Sequence, residues 1–203
     1  MVTILNNPHA VGSGRLIYLH GFRSSPSSFK SQWLLTRLTE LGRSSKFACP
    51  QLPPSPREAV DLVRHQFDLR PDDTLVGSSL GGYYATYLAE HYGCHAVLLN
   101  PVIRAARDLQ SYVGEQQLYH SEGSFHFRRE YLYELNELEV AMISFAQRYF
   151  LIAAKGDELL DWQEMVRHYG GAQALVLDGS DHGLTDFNLY GDQVLKFANL
   201  LAD

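Results

Sequence analysis

The chain has 203 residues, 45% of them hydrophobic and 20% charged, which suits one soluble globular domain and excludes a disordered, collagen-like or coiled-coil chain. Seventeen basic residues against twenty-three acidic give a net charge of −6, the wrong sign for broad binding to nucleic acid or an anionic membrane. No apolar run approaches the ~18 residues of a membrane span.

Two cysteines, Cys49 and Cys94, cannot build a disulfide framework and point to free thiols in a reducing compartment. Met1 to Gly14 lacks the basic and apolar regions of a signal peptide, so the cytoplasm is the default expectation.

Short apolar runs alternate with longer amphipathic ones. Leu16–Leu19 reads as a strand, and residues 28–41 carry apolar positions at helical spacing. Lys46–Cys49 is a weak strand candidate, closed by a proline-rich turn. Pro56 opens the next helix, with Ala59, Val60, Val63 and Phe67 on one face. Thr74–Val76 is a strand, Gly82–Tyr92 a helix stopped by Gly93, and Ala96–Leu99 a strand ended by Asn100-Pro101.

Residues 102–135 break this rhythm with six aromatics between Tyr112 and Tyr133. They read as an insertion with short elements of its own, serving as extra packing or as a lid or pocket wall. The alternation then resumes. Phe150–Ala154 is a strand, Asp161–Tyr169 a helix, Ala174–Leu177 a strand, and Phe187–Leu200 a final helix. Strands without internal alternation, separated by helices, predict an α/β fold. It is a mostly parallel sheet with helices on both faces, in one domain over 1–203.

The chemistry centres on Gly77-Ser-Ser-Leu-Gly81 at a strand-to-helix junction, a G-x-S-x-G pattern with Ser79 in the middle. Side chains two residues either way would collide in so sharp a turn, and glycine removes them. The turn exposes Ser79 Oγ and leaves the Leu80 N–H at a helix start, where it can donate to an oxyanion. Leu19-His-Gly-Phe22 ends the first strand and offers the Phe22 N–H as a second donor; His20 reads as a residue that holds this loop.

A serine hydroxyl needs a base, and the base an orienting acid. Nucleophile, acid, histidine is the chain order of this elbow. His95, His120, His126, His168 and His182 all follow Ser79. His182 alone sits in a loop after the last strand and is the choice for base. Asp157, just after the Phe150–Ala154 strand, is the choice for acid, with Glu158 its near competitor. Asp181 adjoins the base, and Asp161 suits a helix cap. The histidines lack zinc-type spacing and Gly12-Ser-Gly14 precedes a strand, so neither a metal nor a cofactor is expected. Tyr83 and Tyr84, beside Ser79, invite a pocket role, with at least one of them reading as core, and Trp33 and Trp162 read as packing.

These residues resemble the α/β-hydrolase superfamily, and more narrowly the small bacterial YqiA-type esterases. The likeness rests on Tyr18–Phe22 with Ser24-Ser-Pro26, Pro50–Pro54, Val76–Thr86, Asn100-Pro101 with Arg104, Gly156–Glu158 with Leu160-Asp161, and the His182 loop. Leu184 departs from the aromatic expected two residues after the histidine. The resemblance implies Ser79, Asp157 and His182 as a triad, Phe22 and Leu80 as oxyanion donors, and a small-molecule acyl ester or thioester as substrate. A ligand-binding protein without turnover is the non-enzymatic alternative.

Overall fold

Four consecutive apolar residues with no polar alternation suit a strand covered on both faces. In the computed structural model, which describes residues 14–119 and 121–202, Leu16–Leu19 form such a strand, β1, with all four residues buried. Helix α1 (Phe29–Glu40) follows, then the two-residue strand β2 (Phe47–Ala48). Helix α2 (Pro56–Phe67) starts on Pro56, and the Ser55 hydroxyl caps it by accepting from the Glu58 N–H at 3.2 Å. Strand β3 (Thr74–Ser78) leads into α3 (Leu80–Tyr92), which ends at Gly93 in the left-handed region.

Strand β4 (His95–Leu99) precedes the irregular segment. Here lie the short helix α4 (Ala105–Asp108), an antiparallel hairpin of β5 (Gly114–Gln117) with β6 (Ser124–Phe127), and α5 (Glu130–Glu137). Strand β7 (Tyr149–Ala154), α6 (Trp162–His168), β8 (Gln173–Leu177) and α7 (Gly191–Phe197) complete the chain.

Six strands make one sheet in the order β2-β1-β3-β4-β7-β8, and each neighbouring pair is parallel. Alternate residues of each strand feed two cores. Leu34 and Leu38 of α1 and Val194 and Leu195 of α7 cover Leu16, Tyr18, Val76 and Val97 on one face. Helices α2, α3 and α6 cover Ile17, Leu19, Leu75 and Leu98 on the other. The expected α/β architecture is present. No helix among the described residues is long and apolar enough to cross a membrane.

At the amino end of the sheet, Asp73 is 2% exposed and takes both Nε and Nη2 of Arg15, at 3.0 and 2.6 Å. Backbone N–H groups of Arg15 and Arg70 also donate to it, each at 3.0 Å. Burial alone would push this carboxyl up, but the Arg15 bonds and charge offset that and hold it below its ordinary range.

Two expectations need correction. Helix α3 begins at Leu80, two residues early, because the turn at Ser79 runs directly into it. The final helix does not span Phe187–Leu200. A 3₁₀ turn (Phe187–Leu189) is separated from α7 by Tyr190 at φ −137°. The backbone presses on Trp33 here: a Cβ on Gly191 would lie 2.4 Å from its ring. Asn199, at φ +56°, closes the chain short of Leu200.

Candidate active site

The chain runs outward from β1 to β2 and from β3 to β4, so the loops after β1 and β3 diverge. A crevice opens there, at the carboxyl edge of the sheet, where open α/β folds bind ligands. Ser79 stands at that point. Its backbone has φ +54° and ψ −118°, a strained state for a residue with a side chain. The turn closes only because two neighbours lack a Cβ. One on Gly77 would meet the Gly81 carbonyl oxygen at 2.2 Å, and one on Gly81 the Leu19 oxygen at 2.0 Å. Ser79 N–H donates to the Leu99 carbonyl at 3.0 Å, and its own carbonyl accepts from Gly82 and Val102.

His182 reaches Ser79 from the loop after β8, and Asp157 reaches His182 from the loop after β7. The imidazole Nε2 lies 3.0 Å from Ser79 Oγ, and Nδ1 lies 2.8 Å from Asp157 Oδ2. A carboxylate only accepts, so Nδ1 carries the proton and Nε2 is left to accept from the hydroxyl. Asp157 is fully buried, and its other oxygen accepts from the N–H groups of Leu159 and Leu160 at 2.9 and 2.8 Å. Three hydrogen bonds thus aim the carboxylate.

The competing acids have other partners. Glu158 Oε2 accepts from the His182 backbone N–H at 3.0 Å, so it supports the loop rather than the ring. Asp181 holds the backbone and hydroxyl of Thr185, and Asp161 caps α6 through the Gln163 N–H. His95 bonds the Pro71 carbonyl, His126 pairs with Glu115 across the hairpin, and His168 lies in α6. His120 lies outside the described residues.

The N–H groups of Phe22 and Leu80 face no backbone acceptor among the described residues and are free to donate. His20 Nδ1 donates to the Gly21 carbonyl at 3.0 Å, while Nε2 accepts from the Leu52 N–H at 3.0 Å and from the Gln51 amide at 3.2 Å. It therefore clamps the end of β1 to the proline-rich segment. The Phe22 ring meets Tyr112, Phe125 and Phe127 edge-on, with centroids 5.1–5.7 Å apart. Arg23 Nε donates to the Gln117 carbonyl at 2.6 Å, and its guanidinium sits over the Tyr119 ring.

Two cavities flank Phe22. One, of about 290 Å³, touches Ser79, His182, Tyr18, Lys30, Leu109 and Tyr112. The other, of about 420 Å³, is lined by Leu52, Leu62, Leu80, Tyr84 and Phe125 and is mainly apolar. Residues of the 102–135 segment thus line both. Tyr83 is core, donating to the Leu135 carbonyl at 2.6 Å. Leu184 is fully buried in the core under the His182 loop and lines neither cavity. Burial pushes the thiol of Cys49 up to about 11 and that of Cys94 to about 12, so neither is a nucleophile at neutral pH.

Asn100 was not singled out for this site by the sequence. It is fully buried at φ +42°, and its amide Nδ2 donates to the carbonyls of Asp181 and His182. Its Oδ1 accepts from the Ala154 N–H at 2.8 Å. Its place at the carboxyl end of β4, beside Pro101, was the available signal. Among the described residues, seven non-glycines have positive φ, and five of them (Arg23, Ser79, Asn100, Ser180, Leu184) lie in loops at this edge. Strain of about 1–3 kcal/mol at each such residue is thereby concentrated where the crevice lies.

Solved structures share this architecture at low identity. A putative hydrolase from Agrobacterium vitis S4 superposes with a TM-score of 0.72 at 16% identity, covering 92% of this chain and 88% of the other. Alpha/beta hydrolase domain-containing protein 10 from mouse gives 0.67 at 14% identity, with 89% of each chain covered. Est1E from Butyrivibrio proteoclasticus, solved with ferulic acid bound, gives 0.68 at 12% identity, covering 91% and 87%. These likenesses establish the α/β-hydrolase fold. At the level of sequence, residues 15–199 match the uncharacterised protein family UPF0227, and the chain belongs to that family.

Proposed function

We propose that the protein is a serine esterase that hydrolyses small acyl esters through an acyl-enzyme. The observation that carries this reading is the continuous relay from Ser79 Oγ through the two ring nitrogens of His182 to Asp157 Oδ2. It stands on a strained turn beside two free N–H groups.

His182 Nε2 takes the proton of Ser79 Oγ as the oxygen bonds to the ester carbonyl carbon. The carbonyl electrons move to oxygen, and the N–H groups of Phe22 and Leu80 donate to that oxyanion. The imidazolium passes its proton to the departing alkoxide, which leaves an acyl group on Ser79. Water, deprotonated by the same nitrogen, attacks the acyl carbon and releases the acid and the free serine. Asp157 keeps the ring in the required tautomer throughout.

The test is labelling with a fluorophosphonate, read by intact mass and peptide mapping. One adduct on Ser79 is expected, absent in Ser79→Ala and slowed in His182→Ala. A folded protein that takes no label, or takes it elsewhere, overturns the proposal. Turnover of a matched oxygen ester, thioester and amide then ranks the leaving groups, with the oxygen ester expected to be fastest.

A further inference from the structure

The cavity beside Ser79 holds polar groups that ester hydrolysis as drawn does not use. Tyr18 is fully buried in β1 and is one of the residues around this cavity. Its hydroxyl faces those of Ser28 and Ser78 but makes no hydrogen bond of ordinary geometry. Ser28, 8% exposed, is another residue around the cavity, and its Oγ likewise makes no hydrogen bond of ordinary geometry although it faces the Tyr18 hydroxyl. Folded proteins leave few buried hydroxyls without a partner, and each asks for an explanation.

Lys30 completes the set. It extends from the first turn of α1 into the same cavity. Its ammonium donates to the Gly183 carbonyl and, among the described residues, makes no ion pair. Asp181 acts on it only through space and is itself held by Thr185. Lys30 is partly buried, and desolvation pushes its ammonium down to about 8. The acid in the cavity wall, Asp108, is already engaged by Arg107 at 2.6 and 3.2 Å.

We propose that Lys30, Tyr18 and Ser28 form an anion subsite, which takes a carboxylate or phosphate carried by the ester beside its scissile carbonyl. This rests on the esterase reading for its placement in a catalytic cycle, though not for the binding itself. A volume of about 290 Å³ is small for a ligand site, so the substrate class is a short anionic ester rather than a long-chain one. The ammonium supplies charge, and the two hydroxyls donate to the oxygens that the cation does not saturate.

Binding to the Ser79→Ala protein, followed by chemical-shift titration, separates this idea from turnover. Three probes are used: monoethyl succinate, 2-acetoxyethyl phosphate, and ethyl butyrate as the neutral comparison. At least one anionic ester is expected to bind about 10-fold more tightly than ethyl butyrate, the worth of one hydrogen bond to a charged group. Which anion wins distinguishes carboxylate from phosphate. Adding Lys30→Met should collapse that ratio, and Tyr18→Phe should weaken the anionic ester more than the neutral one. Equal binding of all three probes, or a preference that survives Lys30→Met, overturns the proposal. Should Lys30→Met fail to fold, the Tyr18→Phe ratio decides alone. Absence of Ser79 labelling in the wild type would sink the esterase reading and leave the binding result standing.

Discussion

The side-chain amide of Asn100 donates to two consecutive carbonyls, Asp181 at 2.9 Å and His182 at 3.2 Å, and so ties the loop bearing the imidazole to the end of β4. Its oxygen holds the Ala154 N–H at the end of β7, three residues before Asp157. One buried side chain thereby ties the His182 loop to the strand that leads to Asp157.

Asn100→Asp keeps the acceptor for Ala154 but sets a carboxylate against two carbonyl oxygens. We expect about 1–3 kcal/mol less stability and roughly 100-fold lower kcat with little change in KM, because a displacement of ~1 Å at the base costs about that much. Thermal melts and steady-state kinetics on one short ester would check it. Wild-type kcat in a destabilised protein would remove Asn100 from the positioning scheme.

The two neighbouring acids should separate sharply. Asp157→Asn leaves the geometry but inverts the preferred tautomer, and about 10⁴-fold in kcat should be lost. Glu158→Gln retains an acceptor for the His182 N–H and should stay within about 10-fold of wild type. Single-turnover rates with an activated ester would rank them. Equal losses would mean that the loop, not the ring, sets the rate.

Gly81→Ala places a Cβ 2.0 Å from the Leu19 oxygen, a backbone atom that cannot swing away. The expected cost is about 3 kcal/mol or more. Circular-dichroism melts and the fluorophosphonate rate would be read together. An alanine variant with native melting and native labelling would show that the turn is looser than its geometry.

Asp73 and Lys30 both make stability rise with pH, in separate windows and for different reasons. Asp73 has a lowered folded-state pKa, so its contribution is complete above the unfolded carboxyl value near ~3.9 and is lost as pH falls through the lower folded value. Melting curves of wild type and Asp73→Asn should differ by about 1–3 kcal/mol at pH 7 and converge in acid. Lys30 also has a lowered pKa, but it is a cation. Below about 8 the folded protein bears the full cost of the buried charge, and stability rises as pH climbs from about 8 toward the unfolded value near ~10.4. Lys30→Met should therefore stabilise the fold by about 1–2 kcal/mol at pH 7, a gain that shrinks as pH climbs from about 8 and is lost near ~10.4. Asp181, the charged group facing Lys30, works against this and keeps the gain small. A Lys30→Met protein no more stable than wild type at pH 7 would contradict the buried-charge account.

Much of the fold could be read from local pattern. The runs at Leu16–Leu19, Thr74–Ser78, His95–Leu99 and Tyr149–Ala154 are buried on both faces, so they carry no alternation and stand out as parallel strands. Glycine spacing and chain order pointed to Ser79, Asp157 and His182, and the structure brings these three side chains into one hydrogen-bonded row. What escaped depends on distant partners. Gly191 interrupts a helical pattern because Trp33, more than 150 residues earlier, occupies the space of its missing side chain. The polar strand Gly114–Gln117 has little intrinsic reason to be extended. It owes its pairing to a partner strand whose Phe125 and Phe127 pack on Phe22. Tyr18 and Asn100 lie in segments shared with the family, but what their side chains touch, like the contacts of Lys30, depends on what the sheet brings beside them.

The Phe22 ring is gripped on three sides by Tyr112, Phe125 and Phe127, and the next residue is latched to Gln117 and Tyr119. The backbone amide of Phe22 is also one of the two donors in the proposed oxyanion hole. The hairpin therefore has two jobs that cannot be varied separately. On the proposed mechanism, exchanging its aromatics to admit a different substrate also shifts an oxyanion donor, so changes of taste in this family should arrive coupled to changes of speed. An engineer seeking new selectivity without that penalty should leave the hairpin alone and work from the opposite wall, at Leu109 and Leu160.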